Sequence, residues 1–537
     1  MSRNLLICFV VVAWMTLLWS HDHRMIDKGY PPPPPLVEPG PDAATLNVSL
    51  VEADSNQITT GIASVNNGAQ EPEDEFLSPF SLRTLGNRHK GPIRHRELDY
   101  YFFTSGRFSI RVPPGLNQIK VGKGYEYLPV EITIALRPGE TRSLEIPLHR
   151  WIDMAAANWY SGDTHLHFER TGKNDELLVT LLSARDIKYG FILSMNTRGY
   201  DAGNKFESWS QKKGLGERSV FRKGPYHLSS GQEYRAQALG HMNLLMIDDY
   251  VQGNGYSDDV TAHPSLELIA DQAHELNGFV GLNHGGYDEQ QADGLGLSGK
   301  TDFLELLQFG GYRGLGLDGW YDFLNIGYRW PIIAGSDFPY TRELGDCLTY
   351  VYSDKTPNAR GFLENASRGE SFVTSGPMLF LTVNDERPGS LLKLGRGGRS
   401  ENPEILEVEA RVLSPVYPVR YLEIIQDGRV VHREFSSSGK SQWNLRHQIT
   451  ARQSGWIALR AYSDAGTEAH TNPVYYFIDG KSPLLRSSSN QILARLDDSI
   501  AAIENSEIQT RLRELREKLK QLRDTGTNPG LRLPPVP

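Results

Sequence analysis

Gly162-Asp163-Thr164-His165-Leu166-His167 is the stretch on which the reading of the chain turns. In an extended strand, residues two apart point to the same side. His165 and His167 can therefore reach one ion together, with Asp163 behind them as an acceptor that orients a ring. Taken alone, the motif is equally a pair of ordinary strand histidines. Its surroundings sharpen the reading. From Trp151 to about Val383, apolar strand candidates (Gly190–Ser194, Met242–Ile247, Phe279–Leu282, Pro331–Ala334) alternate with helix candidates (Asp175–Arg185, Pro264–Leu276, Gly319–Ile326). Strand–helix alternation predicts a parallel α/β layout, open or closed into a barrel.

Metal-ligating residue types recur beside these strands. Glu233 and His241 lie in Gly231–His241, just before Met242–Ile247; His284 follows Phe279–Leu282 in Asn283-His284-Gly285-Gly286; Asp337 follows Pro331–Ala334 in Gly335-Ser336-Asp337. In a parallel barrel, positions just after strands converge on one mouth, and the neighbouring glycines leave room for tight turns and a ligand. The other histidines carry less. His21 and His23 read as solvated, His263 and His274 as surface or packing residues near a helix, and His227 stays ambiguous.

Working outward, Ala43 to about Leu148 shows short alternating strands (Leu46–Val51, Gly106–Val112, Gln118–Val121). Val130–Leu136 and Arg142–Leu148 read as a hairpin around Pro138-Gly139-Glu140. A small β-sandwich is expected, with a polar loop around Gln70–Arg96. On the other side, Ile405–Val412, Arg420–Gln426, Arg429–Arg433, Trp456–Tyr462 and Val474–Phe477 predict a second sandwich. Gln491–Arg523 is helical, with Ile492, Leu496, Ile500 and Ile503 on one face and Ile508, Leu512, Leu515, Leu519 and Leu522 continuing it. Asn505-Ser506 is a candidate break, with Ser506 and Gln509 as a capping box. The helices read as a hairpin packed on the body; self-association through the stripe is the alternative.

The 537 residues carry a formal net charge of −9, which excludes a broad nucleic-acid footprint, since that needs a basic face. Leu5–Trp19 is uncharged and shorter than the roughly 20 residues of a membrane span. It reads as a signal-peptide core, with an uncleaved N-terminal anchor kept open because Leu18-Trp19-Ser20 is a poor cleavage site. Pro31–Pro35 is a stiff spacer. Of the two cysteines, Cys8 falls in the leader and Cys347 reads as a small buried apolar residue.

The motif array resembles the PHP superfamily, named for polymerase and histidinol phosphatase domains, and within it the exported carbaryl-hydrolase-like branch. The residues are Trp159-Tyr160-Ser161-Gly162-Asp163-Thr164-His165-Leu166-His167, Gly240-His241-Met242-Asn243-Leu244-Leu245, Asn283-His284-Gly285, Leu324-Asn325-Ile326-Gly327-Tyr328-Arg329 leading into Ala334-Gly335-Ser336-Asp337, and Gly369-Glu370-Ser371-Phe372-Val373-Thr374-Ser375-Gly376-Pro377. The resemblance implies a distorted β/α barrel of about seven strands, with ligation by His165, His167, Glu233, His241, His284 and Asp337 and with Asn243 beside the site. Two motifs depart from the pattern. Ser194-Met195-Asn196 stands where the family has Thr-Asp-His, and Asp337-Phe338-Pro339 where it has Asp-x-His. Three expected ligands are thus missing, which leaves a set suited to one or two ions.

The expected organisation is a signal peptide or anchor at 1–20, a proline-rich linker at 21–42, a β-sandwich at 43–150, a PHP-like barrel at 151–388, a second β-sandwich at 389–480 and a helical segment at 487–525. The expected activity is hydrolysis of a carbonyl ester, amide or carbamate, with Asp337 and Glu233 as catalytic carboxylates and Asn196 and Arg198 toward the substrate. Zinc, manganese and iron all suit mixed imidazole and carboxylate ligands. The expected location is periplasmic or secreted, and the expected substrate a small molecule or a cell-envelope component. A phosphoesterase, and a non-catalytic protein binding through its β-sandwiches, are the alternatives.

Overall fold

The computed structural model describes residues 34–73, 77, 100–168, 170–171, 173–195, 215–236, 239–251, 264–286, 291–308, 311–312, 316–339, 343–395 and 403–533. The leader, Asn196, Arg198, His21, His23, His263 and most of the polar stretch at 70–96 lie outside the described residues. The chain is mixed α/β and rich in sheet. Among the described residues, no helix is long and apolar enough to cross a membrane.

The N-terminal strands build two sheets around one core. Ala44–Glu52 lies between Arg107–Val112, antiparallel, and Thr141–Leu148, parallel. Phe102–Thr104, Gly61–Val65, Gly115–Gly122 and Val130–Leu136 form the second sheet. Leu46, Val48, Leu50, Ile119, Val121, Ile146 and Leu148 meet between them, as period-2 alternation requires. The expected hairpin is corrected. Val130–Leu136 pairs with Gly115–Gly122, whereas Thr141–Leu148 pairs with Ala44–Glu52 in the other sheet. The turn at Gly139, in the left-handed region (φ +67°), carries the chain between sheets rather than back along one.

The central segment contributes nine strands used below: β1 (Trp159–Leu166), β2 (Tyr189–Met195), β3 (Tyr226–Ala236), β4 (Gly240–Leu245), β5 (Phe279–Leu282), β6 (Phe303–Gln308), β7 (Ile332–Ala334), β8 (Leu348–Tyr352) and β9 (Ser371–Thr374). β1, β2 and β3 run parallel, as do β5, β6 and β7. β4 runs antiparallel to both of its neighbours, β3 and β5, and β8 runs antiparallel to β1 and β9, so the expected parallel layout is corrected at both strands. Beyond β7 the chain returns to β1. Asp337 N donates to His165 O at 2.8 Å, and His167 N donates to Phe338 O at 2.7 Å. β4, β5 and β6 are buried apart from part of Phe279, which explains their near-continuous apolar runs.

Helices cover these strands: α1 (Asp175–Ala184), α2 (Leu266–Glu275), α3 (Ala292–Ser298), α4 (Gly316–Asn325) and α5 (Ala359–Ser367). Ser265 caps α2 and Asn358 caps α5 through their side chains, each satisfying a backbone N–H that a helix start leaves orphaned. Gly162 is needed because a Cβ there would run into the Phe362 ring of α5. An ion-pair network ties the N-terminal sheets to this layer. Arg150 holds Glu126 at 2.6 Å and Asp186 at 2.8 Å, and Lys188 holds Asp186 at 2.6 Å.

The C-terminal strands do not stand apart. Glu468–Thr471 pairs antiparallel with β9, and Asn472 bridges Ser371 and Ile332 through its side chain. Two helices finish the chain, α6 (Arg486–Ala502) and α7 (Ser506–Thr525). The break falls at 503–505, taking in Asn505 of the expected Asn505-Ser506 pair while Ser506 already begins α7, and the cap is corrected. Asn505 accepts from Glu507 N and Ile508 N, while Gln509 donates to Ile500 O and Ile503 O. Ile508, Leu512, Leu515, Leu519 and Leu522 are buried within the chain's own core, with Leu512 placed where a Cβ on Gly294 of α3 would be. The stripe is therefore consumed intramolecularly. Cys347 is buried and donates weakly to Leu307 O and Gly335 O.

Leu519 has no exposed surface. Leu519→Ala is expected to remove about 2–5 kcal/mol of stability, read as a lower urea midpoint; an unchanged midpoint would show the helix pair to be undocked in solution.

Candidate metal centre

His165 sits near the end of β1, and His167 one residue past it. The β1–β2 register slips between Asp163 and Leu166, and the β6–β7 register slips between Glu305 and Leu307. Such irregularities re-aim side chains, and they recur next to functional sites. Glu233 lies within β3, not after a strand. His241 lies at the start of β4, because the antiparallel strand begins where β3 ends. His284 follows β5 and Asp337 follows β7, each on a left-handed backbone (φ +53° and +54°). Holding a non-glycine residue there costs roughly 1–3 kcal/mol and recurs at functional sites.

These residues converge. His165 Nε2 is 3.1 Å from His167 Nε2, 3.5 Å from Asp337 Oδ1 and 3.8 Å from Glu233 Oε1. His167 Nε2 is 3.1 Å from Asp337 Oδ1 and 3.5 Å from Glu233 Oε2. His241 Nδ1 is 3.2 Å from Glu233 Oε1 and 3.3 Å from His284 Nε2. Two candidate triads result, His165–His167–Glu233 and Glu233–His241–His284, with ligand atoms within 4.8 Å of one another. Glu233 belongs to both.

The ring tautomers follow from the outer partners. His165 Nδ1 donates to Glu305 at 3.0 Å, His167 Nδ1 to Leu193 O at 3.1 Å, and His284 Nδ1 to Gln308 Oε1 at 2.6 Å. With the proton placed on Nδ1, each ring turns an Nε2 lone pair inward, the arrangement metal-ligating imidazoles use. Two such lone pairs 3.1 Å apart repel unless a cation or proton lies between them.

The charge balance agrees. Glu233, Glu305 and Asp337 are buried carboxylates, and Arg235, 3.8 Å from Glu233, is the one guanidinium paired with them among the described residues. The excess negative charge is what a divalent cation neutralises, and burying it uncompensated is costly. The imidazoles register the same demand. Burial disfavours a charged His165, but Glu305, Asp337 and Glu233 outweigh it and push the ring up to about 10. Burial also opposes the charged form of Asp337, but His165, His167 and His284 hold its carboxyl well below the usual range. His241, desolvated and facing Arg235, falls to about 4 despite Glu233. Asn243 Oδ1, Asn283 Oδ1 and Gln308 Nε2 are buried without a hydrogen-bond partner, which leaves polar groups for ordered solvent. The residues fit a metal ion, and the buried cluster of His165, His167, Glu233 and His241 can hold one.

Two assignments change. Asp163 does not orient a ring: Oδ1 accepts from His165 N at 3.2 Å and Ser336 N at 3.0 Å, and burial pushes its carboxyl up to about 7. The ring acceptor is Glu305, which sequence reading missed, together with Gln308. The signal was present, since Phe303-Leu304-Glu305-Leu306-Leu307-Gln308 sets a carboxylate in the middle of an apolar run. Asn243 Nδ2 donates to Glu305 Oε1 at 3.3 Å and so fixes the acceptor. His227 is not among the converging groups; it stacks on Tyr189 with centroids 4.8 Å apart. His274 pairs with Asp302 at the surface.

Glu305→Gln is expected to weaken metal retention by ~10–100-fold, measured by chelator competition, while circular dichroism stays unchanged. Gly335→Ala should do at least as much, because its Cβ would press on Glu305 Oε1 and lie 2.5 Å from His165 Cβ. Wild-type retention in both variants would remove Glu305 from the site. Comparison of the chain with family models, curated proteins and solved structures yields no match.

Proposed function

We propose that the chain is an exported metal-dependent hydrolase whose centre lies at one end of a distorted, seven-stranded β/α barrel of the PHP type. The observation that carries this reading is the convergence of His165, His167 and His284, each oriented by an outer acceptor, on Glu233 and Asp337. The barrel is supported by the pairing order β1 to β7 and by the return of Asp337 and Phe338 to β1. The leader Leu5–Trp19 supports export.

His165, His167, Glu233, His241, His284 and Asp337 would hold the ion or pair of ions. A zinc, manganese or iron ion held there supplies a Lewis acid and lowers the pKa of water from 15.7 toward about 7. Asp337 is the carboxylate to take part in proton transfer: its side chain is 10% exposed, against 3% for Glu233 and 0% for Glu305. Of the three carboxylates it is the most open to solvent. Glu233 faces the same space from β3 and is kept ionised by Arg235, His241 and His284 despite burial. Glu305 and Asn243 act through His165, holding its ring.

A carbonyl ester, amide or carbamate is the proposed substrate class. Phosphoryl groups gain most from several cations, and Ser194-Met195-Asn196 and Asp337-Phe338-Pro339 omit three ligands that a larger cluster would use. Protein purified without added metal or chelator is expected to carry about one to two ions per chain and to lose them in His165→Ala/Asp337→Ala. Turnover of an aryl ester or carbamate should vanish on chelation and return with metal. Asp337→Asn should cut kcat by at least ~100-fold with the fold retained. Absence of metal after reconstitution, or turnover indifferent to chelation, would overturn the reading; faster turnover of an aryl phosphate would move it to a phosphoesterase.

A further inference from the structure

The start of β1, opposite the metal centre, opens on two adjoining clefts of about 360 and 660 Å³ that share Trp159 and Arg387. They lie where β1 and β8 meet the three-stranded sheet of Met378–Val383, Glu404–Leu413 and Gln442–Ala451. Trp159 packs edge-on against Tyr352 and Phe380, with centroids 5.5 and 6.4 Å apart. Arg387 lies over the Tyr352 ring at 3.8 Å, and Arg411 over the Phe380 ring at 5.6 Å.

The charges of the clefts are unbalanced. Each acid lining them is engaged: Glu370 by Arg368 at 2.9 Å, Glu409 by Arg446 at 2.9 Å, and Asp354 by the Tyr352 hydroxyl at 2.8 Å. Arg387, Arg411 and Lys355 make no ion pair among the described residues. Five cations thus line the clefts against three acids, on a chain whose formal charge is −9. An arginine resting on an aromatic face is pre-organised and loses little freedom when it grips a carboxylate. The volumes fall in the range of small-ligand sites.

We propose that these clefts bind an acidic oligosaccharide, with Arg387 and Arg411 taking its carboxylates. Such a ligand carries carboxylates for the guanidiniums, hydroxyls that can pair with Asp354, Glu370 and Asn444, and apolar sugar faces for the partly exposed Tyr352 and Phe380. A broad nucleic-acid footprint needs a wholly basic face, and here three carboxylates stand among the five cations. From Trp159 to His165 the strand runs roughly 20 Å at about 3.3 Å per residue, so binding is separate from the metal centre and independent of whether that centre hydrolyses anything.

The test is calorimetric titration of the full chain with oligogalacturonate, beside a neutral maltooligosaccharide and single-stranded DNA of similar length. Oligogalacturonate is expected to bind saturably and to weaken with salt, the neutral sugar at least ~10-fold more weakly. Arg387→Glu/Arg411→Glu should lower affinity at least ~10-fold with an unchanged melting temperature. If that variant is destabilised, Arg387→Gln/Arg411→Gln serves instead. His165→Ala should bind as wild type does. No saturable binding, equal affinity for the neutral sugar, tighter binding of DNA, or full affinity in the folded arginine variants would each overturn the proposal.

Discussion

Two backbone hydrogen bonds, Asp337 N to His165 O and His167 N to Phe338 O, hold the ends of β1 and β7 side by side. The convergence of the candidate metal ligands depends on them. They bring Asp337 to 3.1 Å from His167, although 170 residues of chain separate the two positions. A loop of that length costs only modestly more entropy to close than a short one, and the strands between them share that ordering. The close approach also explains Gly335. Its neighbours are the β1 backbone and the Glu305 carboxylate, and no side chain fits between them.

The centre is an electrostatic bargain in which each group is held by the next. Glu305 is acceptable in the core because it receives the His165 ring, the Asn243 amide and the His284 backbone N–H. His165 tolerates complete burial because three carboxylates surround it. Removing one member leaves another unpaired in a low-dielectric setting, where the cost is larger than that of the lost contact. The inner residues are therefore best regarded as one unit with non-additive parts.

Much of this was legible in the sequence, for physical reasons. The His-x-His pair, the glycine-flanked His284 and Asp337, and the apolar strands between helices stand out because strands and tight turns restrict composition. The antiparallel β4 was not legible, since a buried strand shows the same apolar run in either direction. Glu305 was passed over because one acidic residue inside an apolar run has no periodicity to mark it. The false hairpin at Pro138-Gly139 shows the limit of turn chemistry, which signals reversal without saying which strand is joined. Asn505 displaced Ser506 as the cap because both residue types suit the position and the helix start can shift by one.

The pairing of Glu468–Thr471 with β9 bears on how the molecule comes apart. The expected domain boundary lies at residue 388, but strands on either side of it pair with one another. Asn472 adds a side-chain tie to Ile332 of β7, the strand that leads into Asp337. Local opening propagates along such ladders as a cooperative unit. The C-terminal strands are thereby tied into the same sheet as the strands that carry the candidate ligands, and an opening that begins among them is expected to reach those side chains through the shared hydrogen bonds.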